Sequence, residues 1–127
     1  MTSKTFYIIA GVILFFAAGW GTYWYTYLNK QPSSVELDKF AMCLRDKQVT
    51  MYGAAWCPHC QSEKKAFGKS FRFVPYVECP QEIKRCLDLG IEGYPTWIFP
   101  GNRKLVGEQG LDGLARESGC SLGNYKL

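Results

Sequence analysis

Cys57-Pro58-His59-Cys60 places two thiols three positions apart, with Trp56 immediately before them. That spacing allows three kinds of chemistry: metal ligation, a structural crosslink, or reversible electron transfer. The flanking residues favour the third. "VTMYGA", Val49 to Ala54, is short and β-rich, and Pro58 suits the first turn of a helix. Cys57 then stands where a strand gives way to a helix. The unpaired N–H groups and the positive dipole end at a helix N-terminus favour thiolate over thiol. Thiolate is the attacking species in disulfide exchange. Cys60, nearly one turn further on, can close a disulfide with Cys57 and expel a bound substrate. The expected roles are Cys57 as nucleophile and Cys60 as resolving thiol.

Four further cysteines follow: Cys43, Cys79, Cys86 and Cys120. Cys79 and Cys86 bracket "PQEIKR", a short stretch between a strand end and the next helix, so a structural disulfide is expected there. A second redox relay and two buried free thiols are the alternatives. Cys43 and Cys120 could tie the two ends of the domain together. Their pairing stays open, because six cysteines allow fifteen connectivities. A Cys₄ zinc site from Cys57, Cys60, Cys79 and Cys86 is a further alternative. The second gap is longer than zinc spacing favours, and His59 is the one histidine. The expectation is no metal and no cofactor.

The elements that must position these residues follow from periodicity and punctuation. Ser33 and Glu36 form a capping-box pattern, and Leu37, Phe40, Ala41 and Leu44 recur at helical spacing, which predicts a helix over 34–47. A strand over 49–54 and a helix from Pro58 to Gly68 come next. "FVPYVE" predicts a strand over 73–78, and "QEIKRCLDL" a helix that stops at Gly90. "PTWIF" from Pro95 predicts a third strand, "KLVGE" a hairpin return after Pro100-Gly101-Asn102, and 111–118 a closing helix. The order α-β-α-β-α-β-β-α predicts a mixed α/β domain. A right-handed parallel βαβ unit would join an antiparallel hairpin, with helices on both faces of the sheet.

The N-terminal part is different in kind. Residues 5–29 carry no charge, and "FYIIAGVILFFAAGWGTYWYTYL" from Phe6 to Leu28 is almost wholly apolar or aromatic. At ~1.5 Å per residue such a helix spans a ~30 Å hydrocarbon core. Tyr7 at one end and Trp20, Tyr23, Trp24, Tyr25 and Tyr27 at the other suit the membrane interfaces. A cleaved signal peptide and a buried core helix are the competing readings. The expected division is a tail over 1–5, a transmembrane anchor over 6–28, a linker over 29–34 and a redox domain over 35–127. All six cysteines follow the anchor, which suggests an oxidising, extracytoplasmic compartment for the domain. Net charge is +4 with acids and bases interspersed, so nucleic-acid binding is not suggested.

"WCPHC" resembles the active-site loop of the thioredoxin superfamily, and "GIEGYPTWIFPGN" resembles the segment carrying that family's cis-proline. The resemblance spans roughly 35–119. It implies a thioredoxin-like fold, with Cys57 and Cys60 catalytic, Trp56, Pro58 and His59 in the active-site loop, and Pro95 positioning the substrate backbone. "FAMCL", "MYGAAWCPHCQSEKKAFGKSF", "YVEC" and "GIEGYPTW" are similar to the thioredoxin-like domain associated with bacterial vitamin K epoxide reductase homologues. That similarity implies a membrane, quinone-linked reoxidase of this type as partner, and cysteine-containing proteins as substrates. The Pro58-His59 dipeptide resembles that of periplasmic oxidants. Met51 stands where thioredoxins carry a buried acid, so another group such as Glu63 would have to assist proton transfer. The expected function is a membrane-anchored thiol–disulfide oxidoreductase that works as an oxidant. A reductase or isomerase, and a non-catalytic interaction module, are the alternatives.

Overall fold

The computed structural model describes residues 3–28 and 32–123. The chain divides into two units, Met1–Gln31 and Pro32–Leu127.

The first unit is one helix, α1, Ser3–Leu28. It already includes residues 3–5 of the expected tail, because nothing in "SKTF" stops a helix. At ~1.5 Å per residue it is about 39 Å long. Its 20-residue stretch Tyr7–Thr26 is long and apolar enough to cross a membrane. Its large side chains are exposed, Phe15 and Trp20 among them, which is not the packing of a core helix. Thr22 and Thr26 donate their hydroxyl protons to the carbonyls of Gly19 and Tyr23, each at 2.9 Å. Those bonds let polar side chains sit in an apolar medium. Residues 29–31 of the expected linker lie outside the described residues.

The second unit opens with α2, Ser34–Asp46, capped by Ser33. The Glu36 N–H donates to Ser33 Oγ at 3.3 Å, and the Ser33 N–H to Glu36 Oε2 at 2.8 Å. This is the reciprocal capping box. Next come β1 (Thr50–Gly53), α3 (Pro58–Phe67), β2 (Tyr76–Glu78), α4 (Ile83–Asp88), β3 (Thr96–Phe99), β4 (Arg103–Val106) and α5 (Gly110–Ser118). The sheet order is β2-β1-β3-β4. β1 runs parallel to β2, with Met51 opposite Tyr76, and antiparallel to β3, with Met51 opposite Trp97. β3 and β4 form the antiparallel hairpin.

Alternation along the strands sends side chains to two cores. Met51, Trp97 and Phe99 face one side, where Phe40, Ala41 and Leu44 of α2, Phe67 of α3 and Leu114 of α5 cover them. Phe67 stacks on Phe40 at 5.8 Å and lies 6.3 Å from Trp97. Tyr52, Val77 and Ile98 face the other side with Cys79 and Cys86, against Leu89 at the C-cap of α4. Helices therefore lie on both faces of a mixed sheet, as in the thioredoxin-like fold.

Several elements are shorter than their sequence patterns, β2 and α4 most of all. Gly68, at φ +55°, ends α3, and the chain continues as a 3₁₀ turn over Gly68–Phe73. Phe73, the first residue of the strand expected over 73–78, thereby packs with Phe71 on the first core instead. Pro75 has no N–H, so β2 begins at Tyr76, although the Pro75 carbonyl still accepts from the Met51 N–H at 2.9 Å. The helix expected from Gln81 begins at Ile83, because the Glu82 N–H is held in a turn by the carbonyls of Glu78 and Cys79.

Candidate active site

β1 ends at Gly53, and after four intervening residues the chain enters α3. The turn between them is riveted by hydrogen bonds. The Ala55 N–H donates to Glu78 Oε1 at 2.8 Å, Gln61 Nε2 donates to the Ala55 carbonyl at 2.8 Å, and the Cys57 N–H reaches the Ala54 carbonyl at 3.1 Å. Cys57 is the N-cap residue of α3, in extended conformation, with Pro58 in the first helical turn. Pro58 costs no hydrogen bond there, and its ring pre-sets the helical φ. The Cys57 sulfur points to the Tyr94 carbonyl, 3.7 Å away. The Tyr94–Pro95 peptide bond is cis, and Pro95 is buried. The Pro95 loop thus lies directly against Cys57. Trp56 is 68% exposed and meets the Tyr94 ring edge-on at 6.1 Å.

Cys57 and Cys60 are both free thiols. Cys57 is 6% exposed and Cys60 1%, so only the first offers an opening to solvent. Burial pushes the Cys60 thiol up to about 11; the Ala54 backbone and the Lys64 charge oppose that rise, and Cys57 adds to it. Cys60 is therefore a neutral thiol at physiological pH. Gly53 makes room for it: a Cβ at Gly53 would lie 2.6 Å from Cys60 Sγ and 3.4 Å from Tyr76 Cε2.

The remaining cysteines are paired. Cys79 joins Cys86, with Cα atoms 5.7 Å apart, and Cys43 joins Cys120 at 5.9 Å. The first bond removes two of the four sulfurs that a Cys₄ zinc site would use.

His59 is exposed and pairs with a residue of another element. Its Nδ1 lies 3.3 Å from Glu108 Oε2, and Ser62 Oγ donates to Glu108 Oε1 at 2.5 Å. Those two hydrogen bonds, Ser62 first, hold the Glu108 carboxyl below its usual range. Glu108 comes from the β4–α5 loop and clips the first turn of α3. Sequence reasoning missed it, since it lies 49 residues from His59 in a loop without periodicity.

Met51 is fully buried among apolar side chains. Glu63 is fully buried as well. Its oxygens accept the N–H groups of Gln109 (2.8 Å) and Gly110 (3.0 Å) at the start of α5. Burial raises its pKa against the pull of these amides. The Trp97 indole N–H also acts on this carboxylate, but falls short of hydrogen-bond geometry. Both Glu63 oxygens are engaged at α5.

A second polar group lies beside Cys60. The Tyr76 hydroxyl donates to Glu78 Oε2 at 2.5 Å, and Lys64 Nζ sits 3.6 Å from the centre of the Tyr76 ring. Burial favours a neutral Glu78, but the Tyr76 hydroxyl, the Ala55 N–H and Lys64 outweigh it and lower its pKa. Burial and Glu78 together raise that of Tyr76. The signal for Tyr76 and Glu78 was their position in "YVEC". They lie two residues apart on one face of β2, and what the sequence did not show is that this pair stands beside Cys60.

No protein-family model matches the chain. Over 103 residues it is 42% identical to the thiol-disulfide oxidoreductase LTO1 of Arabidopsis thaliana, which takes in 74% of this chain and 26% of that protein. The chain thus spans about a quarter of the length of that relative. Its second unit has a thioredoxin-like fold, and most of the chain is similar to part of a larger protein named for thiol–disulfide exchange.

Proposed function

We propose that this chain is a membrane-anchored thiol–disulfide oxidoreductase whose redox centre is Cys57–Cys60. The observation that carries the reading is the asymmetry of the pair. A free Cys57 caps α3 at a small opening beside the Tyr94 carbonyl, and a free, buried Cys60 lies one turn behind. The name of the Arabidopsis relative supports it.

In the oxidising direction, a substrate thiolate attacks Cys57 Sγ of the Cys57–Cys60 disulfide. Cys60 leaves as thiolate and takes up a proton. A second substrate thiolate attacks the substrate sulfur of the mixed disulfide, forms the substrate disulfide and releases the Cys57 thiolate. Two electrons have then passed to the pair. Pro95 and the Tyr94 carbonyl would hold the substrate backbone, and Trp56 would offer an apolar platform. α1 would anchor the chain with the redox domain on the extracytoplasmic side. A quinone-linked membrane protein of the vitamin K epoxide reductase type would reoxidise the pair; that partner rests on the sequence resemblance.

Cys57→Ser is expected to abolish disulfide formation in a complementation assay. Survival of activity in that variant would leave a non-catalytic interaction module. A reductase or isomerase is the second reading, favoured by Glu108, whose carboxylate pairs with the His59 ring at the first turn of α3. The potential against glutathione separates the directions: a value nearer about −120 mV marks an oxidant, and one nearer about −270 mV a reductant.

A further inference from the structure

When the reduced pair is reoxidised by another disulfide, resolution of the mixed disulfide at Cys57 asks Cys60 to become a nucleophile, yet Cys60 is the more deeply buried of the two thiols. The groups around it are few. The end of β1 presents Gly53, and the turn after it the Ala54 backbone. His59 and Glu108 are paired with each other, and Glu63 is engaged by the amides of Gln109 and Gly110. What faces Cys60 is Cys57 and Lys64 from its own helix, and Tyr76 from β2 with Glu78 behind it.

Lys64 follows Cys60 by four residues on α3, so the two share a helix face. Its long stem could wander in solvent, but the ammonium is seated. It lies 3.6 Å from the Tyr76 ring centre and 5.4 Å from that of Phe71. The Tyr76 ring is held in turn by its hydroxyl bond to Glu78, and Glu78 by the Ala55 N–H. Lys64, Tyr76, Glu78 and the active-site turn thus form one connected set against Cys60.

We propose that Lys64 is a positioning residue for the resolving step: its ammonium, seated over Tyr76 one helical turn from Cys60, stabilises the Cys60 thiolate as it forms. The step is redox-neutral. Cys60 Sγ–H loses its proton, its sulfur bonds to Cys57 Sγ, the S–S bond between Cys57 and the sulfur of the reoxidising disulfide breaks, and the departing thiolate takes up the proton. The Lys64 charge lowers the Cys60 pKa against the burial that raises it, so the effect falls on the thiolate fraction that reacts. The inference rests on the thiol-exchange reading and adds a residue to it.

The test uses the reduced full chain in detergent, mixed rapidly with oxidised glutathione and quenched in acid. Mass spectrometry follows formation and decay of the Cys57–glutathione mixed disulfide across pH. Lys64→Met is expected to leave formation unchanged, to slow decay about three- to ten-fold at pH 7, and to displace its pH profile upward. Lys64→Arg keeps the charge and is expected to follow the wild type. A Lys64→Met profile that superimposes on the wild type overturns the proposal. So does a Lys64→Arg profile displaced as far as that of Lys64→Met, since packing rather than charge would then be at work. Cys60→Ser serves as control: if it accumulates no mixed disulfide at Cys57, thiol exchange itself fails, independently of Lys64.

Discussion

Gly53 shows how much a single residue decides at this site. The Cys60 sulfur occupies the space where a side chain at position 53 would begin. Gly53→Ala must push the sulfur or the helix, and Cys60 is too enclosed to swing aside. Overpacking of this kind costs about 1–3 kcal/mol. A lowered denaturation midpoint is expected, together with altered Cys60 reactivity, both read by guanidinium unfolding and thiol labelling. The sequence marks Cys57 and Cys60 by spacing and type alone. It does not mark Gly53, because a glycine at a strand end is commonplace and its close neighbour lies on another element. Glu108 and Lys64 escape for the same reason: their partners are Ser62 and His59 in one case, and Tyr76 in the other, reached only across loops or sheet.

Two kinds of tie connect the elements. Glu63 of α3 accepts two amides at the start of α5, so a buried carboxylate joins two helices. Glu63→Ala leaves both N–H groups unsatisfied and is expected to cost about 2–4 kcal/mol in thermal or denaturant unfolding. Its pH dependence has a definite sign. The folded pKa is raised above 4.5, so above that pH the folded state keeps a proton that the unfolded state has released. Stability from this group therefore falls as pH rises from 4.5 through the folded pKa. Glu63→Gln has no such titration, and its stability curve is expected to be flatter there.

The disulfides tie elements covalently. Cys43–Cys120 closes a 77-residue loop from α2 to the segment after α5, and Cys79–Cys86 closes one of 7. On loop entropy, replacing both cysteines of the long loop by Ala is expected to cost about 4 kcal/mol. The same change in the short loop should cost about 2 kcal/mol. Guanidinium unfolding of the two double variants tests that order. Among the elements themselves, α2 and its capping box are legible because every cue is local. β2 reads too long because Phe73 looks like a strand residue but serves the core from the end of a 3₁₀ turn.

The whole molecule joins a long apolar helix to a small α/β domain. If α1 anchors the chain, deletion of residues 1–31 is expected to move the protein from the alkali-resistant membrane fraction to the soluble fraction. The Pro32–Leu127 unit has its own cores and both disulfides, so Cys57 labelling should survive the deletion. A truncated chain that stays with membranes would remove α1 as the anchor.

Local pattern is enough to establish the order of elements, the place of the thiol pair at a strand–helix junction and the apolar character of α1. Each of these depends on neighbours within one or two turns or on alternation along one strand. Tertiary structure decides what depends on partners far apart in the chain. It pairs Cys43 with Cys120 out of fifteen possible connectivities, sets the Tyr94 carbonyl against Cys57, and turns His59 toward Glu108. It also commits the Glu63 carboxylate to α5 and seats Lys64 beside Cys60. The two thiols look alike in the sequence. Packing makes one reachable and the other a buried, reluctant acid, because solvation and the nearest charges are properties of the fold and not of the spacing.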